Sequence, residues 1–559
     1  MRYLITSALP YINGIKHLGN LVGSMLPADV YARFLRQEGE TVLFICGTDE
    51  HGTPAELAAR EEGLEVEVYC QRQYERQAEV YRRFGLSFDY FGRTSSPENH
   101  ELTQHFYQSL DRNGLITEQE TSQMYSLEDE RFLPDRYVVG TCPKCGYQSA
   151  RGDQCENCTS VLNPTDLIEP RSTISGSTNL EVRQSKHLFL SLNFLSSQVQ
   201  NWVDEHPDWS LLTRSIAKKW LDEGLQRRCI TRDLSWGVPV PRPGFEDKVF
   251  YVWFDAPIGY LAMTKAWSNE VEGRNWLDWW QESDDVQYVQ FMAKDNLPFH
   301  TIMFPAMTLG TGESWKLADK IKGFNWLNYY GGKFSTSAKR GVFLDRALDI
   351  LPSDYWRYTL LSISPESSDS TFTWEQLQTK INKDLADKLG NLVNRILKFA
   401  ASRFNSKIPQ GGIPGEAEQH LEHQCQESMD TISGYLHNLE FRKATDALCA
   451  LWTIGNRYVD EQAPWKLFKE NPEQASMVIR TSINLIRIYA IACNPFIPST
   501  ANTIFDALGL SESERTCSFA SAVDFSILQS DRSFDVPPPL FQKLSDEQIA
   551  EFKSGFGSE

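Results

Sequence analysis

Four cysteines stand close together in this chain of 559 residues: Cys142 and Cys145, then Cys155 and Cys158, with nine residues between the pairs. Each Cys-x-x-Cys pair can set two thiolates on one metal through a tight turn, and two pairs complete a tetrahedron. Gly140, Gly146 and Gly152 supply the turns. Four thiolate ligands close a site to substrate, so the spacing predicts structural zinc; a redox pair or unrelated buried cysteines are the alternatives. A second group is the string GGKFSTSAKRG (331–341), which gathers Lys333, Ser335, Ser337, Lys339 and Arg340. Glycines, hydroxyls and cations in that density suit a loop that closes on a triphosphate, with a plain basic surface loop as the alternative. A third is His17, Gly19 and Asn20, in the turn before an apolar periodic stretch. The free N–H groups of a helix start attract phosphate, and Gly19 lets a flat base approach the backbone; a capped polar loop explains the same residues.

The elements around these groups position them. Residues 3–6 form an apolar run without helical period, which suits a buried strand. Leu21, Met25, Ala28, Ala32 and Leu35 recur at helical spacing, Gly39 stops that helix, and residues 42–46 form the next strand. Strand, helix, strand in this order is a βαβ unit, and a ligand then sits at the carboxyl edge of the sheet, where residues 8–20 lie. A second α/β pattern resumes with apolar runs at 250–254 and 288–292, both read as strands. Between them and the first half lies a turn-rich insertion holding the cysteines. From about 374 to 510 the pattern is that of a helical bundle, and the tail from Ser511, rich in Ser, Asp and Pro, is expected to wrap loosely over it.

Several strings carry a family likeness. ALPYINGIKHLGN (8–20) resembles the "HIGH" signature of class I aminoacyl-tRNA synthetases, in the form that methionyl-tRNA synthetases use. FICGTDEHGT (44–53) resembles the second block of the same enzymes, and GGKFSTSAKRG resembles their "KMSKS" loop. The loop departs from that pattern: Thr336 stands at the second lysine, so Lys339 or Arg340 is expected to substitute for it. YVWFDAPIGY (251–260) and FMAKDNLPFH (291–300) resemble the methionine-pocket motifs. Aromatic walls suit a thioether, since sulfur packs well on ring edges.

The resemblance implies a methionine site built from Ala8, Leu9, Tyr11, Trp253, Ala256, Pro257, Tyr260, Asn296 and His300. It places Asp49 on the substrate ammonium and makes Arg232 the link from the insertion to the site. His17, Gly19, Asn20, Lys294, Asp295 and Lys333 would hold ATP with Mg²⁺. His17, Asn20, Lys333, Ser335, Ser337, Lys339 and Arg340 are the catalytic candidates, and Asn391, Arg395 and Trp465 those for the anticodon of tRNA(Met). The fold class implied is α/β: a Rossmann-type parallel-sheet catalytic domain, a zinc-knuckle connective insertion, and an all-α anticodon-binding bundle. Its boundaries are expected at 1–113 and 240–325 for the two catalytic halves and 114–239 for the insertion, with its knuckle at about 138–162. The loop and stem-contact region follows at 326–385, the bundle at 386–545 and a tail at 546–559.

Composition sets the outer limits. Fifty-five basic against 74 acidic residues leave a net charge of -19, which excludes a protein that coats nucleic acid indiscriminately but not one that holds a single structured RNA in a local basic strip. No run reaches the roughly eighteen consecutive apolar residues of a membrane span, and no leader is visible, so a cytoplasmic monomer without membrane contact is expected. Three rivals share parts of the pattern: a class I synthetase for leucine, isoleucine or valine, an RNA-binding paralogue with a dead site, and a small-molecule adenylating ligase. The first would need a larger editing insertion than 114–239 provides.

Overall fold

The computed structural model describes residues 1–557 apart from 156, 159 and 336–339. Five parallel strands form the catalytic sheet: β1 (Arg2–Ser7), β2 (Thr41–Thr48), β3 (Tyr90–Arg93), β4 (Val286–Ala293) and β5 (Lys320–Phe324). Their order is β5-β4-β1-β2-β3, with Ile5 opposite Phe44 on one side and opposite Val289 on the other. The chain leaves β1 for β2 and β3, then returns to the far side of β1 for β4 and β5. That reversal opens a crevice at the carboxyl ends of β1 and β4, where doubly wound sheets bind ligands. Helical turns Leu18–Asn20, Leu21–Met25 and Leu26–Gln37 run on as one crossover helix, which Gly39 ends at φ +82°.

The apolar run at 250–254 is not a strand. Only Val249–Phe250 is extended, pairing with Thr231–Arg232 where the insertion returns, and Val252–Asn269 is a helix. This helix is buried on most sides, so its sequence carries no amphipathic period and reads as a buried strand. The expected strand at 288–292 is β4.

The insertion is built on a long antiparallel pair, Ile116–Ser126 with Leu180–Leu190. The cysteines lie beside a smaller sheet of Val138–Thr141, Ala150–Arg151 and Ile168–Ser172. Helix Leu211–Asp222 packs back on the catalytic sheet, where Thr213 Oγ1 donates to the Ile321 carbonyl at 3.1 Å. Beyond β5, Leu327–Tyr329 pairs with Gly332–Lys333 and Ser370–Phe372 at the root of the 331–341 loop.

The bundle runs through Asn391–Phe404, Glu416–His437, Phe441–Gln462 and Pro472–Cys493. The last is long and apolar enough to span a membrane, but 94% of its apolar window is buried, which makes it the bundle's core helix. The tail is not loose. Ser545 caps helix Asp546–Phe556, and Phe552 and Phe556 each stand 5.3 Å from the Trp374 ring. Asn382 Nδ2 also donates to the Leu544 carbonyl at 2.9 Å, so the tail closes over the root of the bundle.

Candidate active site, metal knuckle and anticodon face

Two loops meet at the mouth of the crevice. Ala8 N–H donates to the Phe291 carbonyl, continuing the sheet past β1. Asp49 N–H donates to the Pro10 carbonyl and Ile12 N–H to the Asp49 carbonyl, each at 2.9 Å, zipping the first motif to the second. Asp49 is only 5% exposed, and its Oδ1 has no hydrogen-bond partner among the described residues. Burial, reinforced by the neighbouring Asp255 and Glu50, pushes its carboxyl well above the usual range. An unpaired buried carboxylate is costly, and an ammonium ligand would relieve it.

His17 is itself the helix cap. Its Nδ1 accepts from Asn20 N–H at 3.3 Å, while its own N–H donates to Asn20 Oδ1 at 3.2 Å. Burial lowers the imidazole to about 3, so at neutral pH it is uncharged. With Nδ1 accepting, Nε2 carries the proton and remains a neutral donor. The Phe334 ring stacks on His17 at 4.9 Å, and it occupies the space a Cβ at Gly341 would need.

Ser335 and Arg340 pair as a short antiparallel bridge. The candidates Ser337 and Lys339, and the variant Thr336, lie outside the described residues. Arg340 donates to the carbonyls of Lys333 at 2.9 Å and Tyr329 at 3.0 Å, so its guanidinium braces the loop's stem. Lys333 and Lys294 both stand over the Trp326 ring, at 4.5 and 4.2 Å, and Lys294 pairs with Asp369 at 2.7 Å. Burial raises the Asp295 carboxyl beside these two lysines. The strands thus bring Lys294, Asp295 and Lys333 together from separate motifs.

The aromatic pocket forms between helix Val252–Asn269 and the segment after β4. Tyr260 O–H stands 3.0 Å from His300 Nε2, and His300 Nδ1 stands 2.9 Å from the Asn296 carbonyl. A carbonyl only accepts, so Nδ1 carries the proton and Tyr260 donates to Nε2; burial holds His300 at about 4 and keeps it neutral. Trp253 packs on Phe299 at 4.5 Å, and Ala256 and Pro257 follow on the same helix. Leu9 reaches toward this helix at Gly259. Tyr11, 38% exposed, sits at the rim beside Asp49. Arg232 spans from the insertion's Asp135 at 2.9 Å to the Tyr251 ring at 3.6 Å.

Four residues here escaped the sequence reading. Arg228 stands 5.0 Å over Trp253, and Asp255 takes a 2.6 Å hydrogen bond from His51 in full burial. Trp326 organises the lysines, and Lys16 is buried beside His17. Asp255 and Lys16 lie inside quoted motifs, so their position was a usable signal; nothing local marked Arg228 or Trp326.

In the knuckle, Cys142 and Cys158 sulfurs are 3.9 Å apart and those of Cys145 and Cys155 are 3.6 Å apart. All four lie within 4.8 Å of one another. A zinc ion with Zn–S bonds of about 2.3 Å holds its sulfurs about 3.8 Å apart, and a disulfide would need about 2.05 Å. Lys144 N–H points at Cys142 Sγ and Asn157 Nδ2 at Cys145 Sγ, which suits thiolates. The donor set therefore fits structural zinc and not a redox pair. One zinc per chain is expected by atomic emission, and Cys155→Ser should abolish it and open residues 138–172 to protease. A purified chain without metal would defeat this.

The family model for class I tRNA synthetases (M) matches residues 3–397, and that for the anticodon binding domain of methionyl tRNA ligase matches 408–559. A methionine–tRNA ligase 1 of Acaryochloris marina is 66% identical over 559 residues, all of both chains. The chain belongs to the methionyl-tRNA synthetase family. A methionine–tRNA ligase of Streptomyces avermitilis is 56% identical across all of this chain and 99% of its own. The crystal structure of the Mycobacterium tuberculosis methionyl-tRNA synthetase bound by methionyl-adenylate matches with a TM-score of 0.78 over 97% of this chain and all of its own, at 23% identity, which speaks for the fold. The 66% and 56% identities over the full length make this member of the family a ligase that joins methionine to tRNA.

The anticodon candidates also come together. Asn391 and Arg395 are one turn apart on Asn391–Phe404, and the Arg395 guanidinium lies 4.4 Å from the Trp465 ring centre and 3.3 Å from Asp460. Ala463, left-handed at φ +38°, makes the sharp corner that swings Trp465 to this face. Trp465 falls within the family's anticodon model, while Asn391 and Arg395 precede its start.

Proposed function

We propose that the crevice between β1 and β4 activates L-methionine with ATP to methionyl-adenylate and then passes the methionyl group to the 3′-terminal adenosine of tRNA(Met). Asp49 holds the ammonium, and Tyr260, His300, Trp253, Ala256, Pro257, Ala8, Leu9, Tyr11 and Asn296 surround the thioether chain. Arg232 ties the knuckle-bearing insertion to the pocket wall. The methionine carboxylate attacks the α-phosphorus of ATP, the bond to pyrophosphate breaks, and pyrophosphate leaves with the electron pair. His17 offers a neutral N–H to the phosphates, with Asn20 and Gly19 at the same helix start. Lys294, Asp295 and Lys333, together with the Ser335–Arg340 loop, serve the triphosphate, and Mg²⁺ accompanies it. The observation that carries the reading is the buried Asp49 carboxylate, whose Oδ1 has no hydrogen-bond partner among the described residues, between an aromatic pocket and a helix N-terminus.

Asn391, Arg395 and Trp465 read the anticodon in this proposal. Trp465→Ala should weaken tRNA binding about 10- to 100-fold, since stacking one base is worth about 1–3 kcal/mol, and leave adenylate formation unchanged. The reading includes a cytoplasmic location, which the need to keep four thiolates reduced supports, and a monomer. The deciding experiment is methionine-dependent ATP–pyrophosphate exchange, with leucine, isoleucine and valine as controls. Exchange with methionine alone is expected; a folded, zinc-loaded chain that exchanges with none of them would overturn the proposal in favour of an RNA-binding paralogue.

A further inference from the structure

Lys16 stands in the first motif, next to His17, and is 5% exposed. Its Nζ donates to Asn13 Oδ1 at 2.8 Å, and among the described residues no other side chain takes a hydrogen bond from it. An ammonium has three N–H groups, so two remain unspent in a desolvated place. No carboxylate forms an ion pair with it among the described residues. Its main chain is pinned as well, for the Lys16 carbonyl accepts from Leu344 N–H at 2.9 Å, just beyond the 331–341 loop. A buried cation whose one partner is a neutral amide is expensive where an apolar residue would pack for less, and an anion from outside the chain would settle that cost.

The surroundings say which anion. The motif that holds Lys16 is zipped to Asp49 by the Ile12 N–H to Asp49 carbonyl and Asp49 N–H to Pro10 carbonyl bonds, each at 2.9 Å, and Lys16 directly precedes His17, so its positive charge bears on both. On the functional reading above, Asp49 marks the substrate ammonium and His17 the phosphates. The methionine carboxylate is one carbon from its ammonium, and it must meet the α-phosphorus between those two sites. We propose that Lys16 is a further catalytic residue, whose two free N–H groups bind the α-phosphate oxygens as negative charge builds on them in the transition state. Burial lowers the Lys16 ammonium to about 7, with Asp49 pulling the other way, so an arriving phosphate draws it firmly into the charged form.

The inference rests on the proposed function, and the test separates the two. Pyrophosphate exchange, methionine affinity by tryptophan fluorescence, and zinc content are measured on the full chain and on Lys16→Met, Lys16→Arg and Asn13→Ala. Lys16→Met should lose about a hundredfold in kcat, the usual cost of one transition-state donor, with methionine affinity within threefold of the parent. Lys16→Arg should recover part of the rate. Asn13→Ala, which keeps the cation, should stay within tenfold. Lys16→Gln replaces Lys16→Met, under the same threshold, if the latter does not fold. Exchange by Lys16→Met within threefold of the parent overturns the proposal. So does an equal loss of rate and methionine binding in Lys16→Met and Asn13→Ala, which would make Lys16 a brace for the turn. Exchange absent from the unaltered chain would instead fell the functional reading, and this inference with it.

Discussion

Asp49→Asn should raise the methionine KM about a hundredfold while leaving the ATP KM nearly unchanged. The substitution keeps shape and hydrogen-bonding capacity and removes only the charge. Stripping a buried ammonium of its counter-charge costs about 2–5 kcal/mol, and each 1.4 kcal/mol is about a factor of ten. The free protein should become more stable, not less, because the native carboxylate is buried with Oδ1 unpartnered. The pH dependence has a fixed sign. The folded carboxyl titrates above its ordinary range, so as pH rises past that range the unfolded chain releases its proton while the native state still holds it, and stability falls until the native carboxyl ionises too. The penalty fades as pH falls, and Asn should remove it. Isothermal titration with methionine and thermal melts at several pH values check both claims. A KM change below tenfold, or a lowered melting temperature, would reject the role given to Asp49.

Arg357→Met should cost about 3–5 kcal/mol, because it takes one of two cations from the buried Asp29, whose other is Arg33 at 2.9 Å, and strips the donors from buried carbonyls. Arg357 is wholly buried, on Ser353–Ser362, and its Nη2 pairs with Asp29 at 2.7 Å. Its remaining donors reach the Phe496 carbonyl at 2.8 Å and the Pro495 carbonyl at 3.0 Å, beyond the bundle's core helix. Asp29 lies on the helix that starts at His17, so one guanidinium ties the active-site helix to the bundle. Burial pushes Asp29 up, but Arg33, Arg357 and Ser87 outweigh it and hold the carboxyl at about 2. That stabilisation is present above the ordinary carboxylate range and lost as pH falls from about 4 toward 2. Without Arg357 the carboxyl titrates higher, and acid unfolding should begin at higher pH. The double variant with Asp29→Asn should lose less than the sum of the two single losses, since the residues share one network. Urea unfolding at pH 7 and pH 3 is the measurement. Transfer to tRNA should fall further than pyrophosphate exchange, because the bundle's docking loosens before the pocket does. Strict additivity would mean the pair is not a functional unit.

What the sequence by itself determined is whatever a few neighbouring residues decide. The knuckle is the clearest case: two Cys-x-x-Cys turns within seventeen residues bring four sulfurs to tetrahedral spacing with little help from the rest of the chain. Strands β1 and β2 and the helix between them were legible for the same reason, since Leu21, Met25 and Ala28 keep one face and Gly39 ends it. The motifs placed Asp49, His17, Tyr260 and His300, and the fold brings them to one crevice. Tertiary structure decided what depends on burial from several sides or on distant partners. Helix Val252–Asn269 was read in part as a strand because burial on most faces erases the period that separates the two. The tail looks loose in sequence because the anchor of Phe552 and Phe556 is Trp374, far back in the chain. Arg340, a candidate for the phosphates, also donates to the carbonyls of Lys333 and Tyr329, a bracing role that no local pattern announces. Arg357 carries no mark in the sequence that tells a buried cation from a solvated one, and Lys16 carries only its place in the first motif. A charge acquires its meaning from how much water the fold takes away from it, and that is settled only when segments hundreds of residues apart close around the same atom.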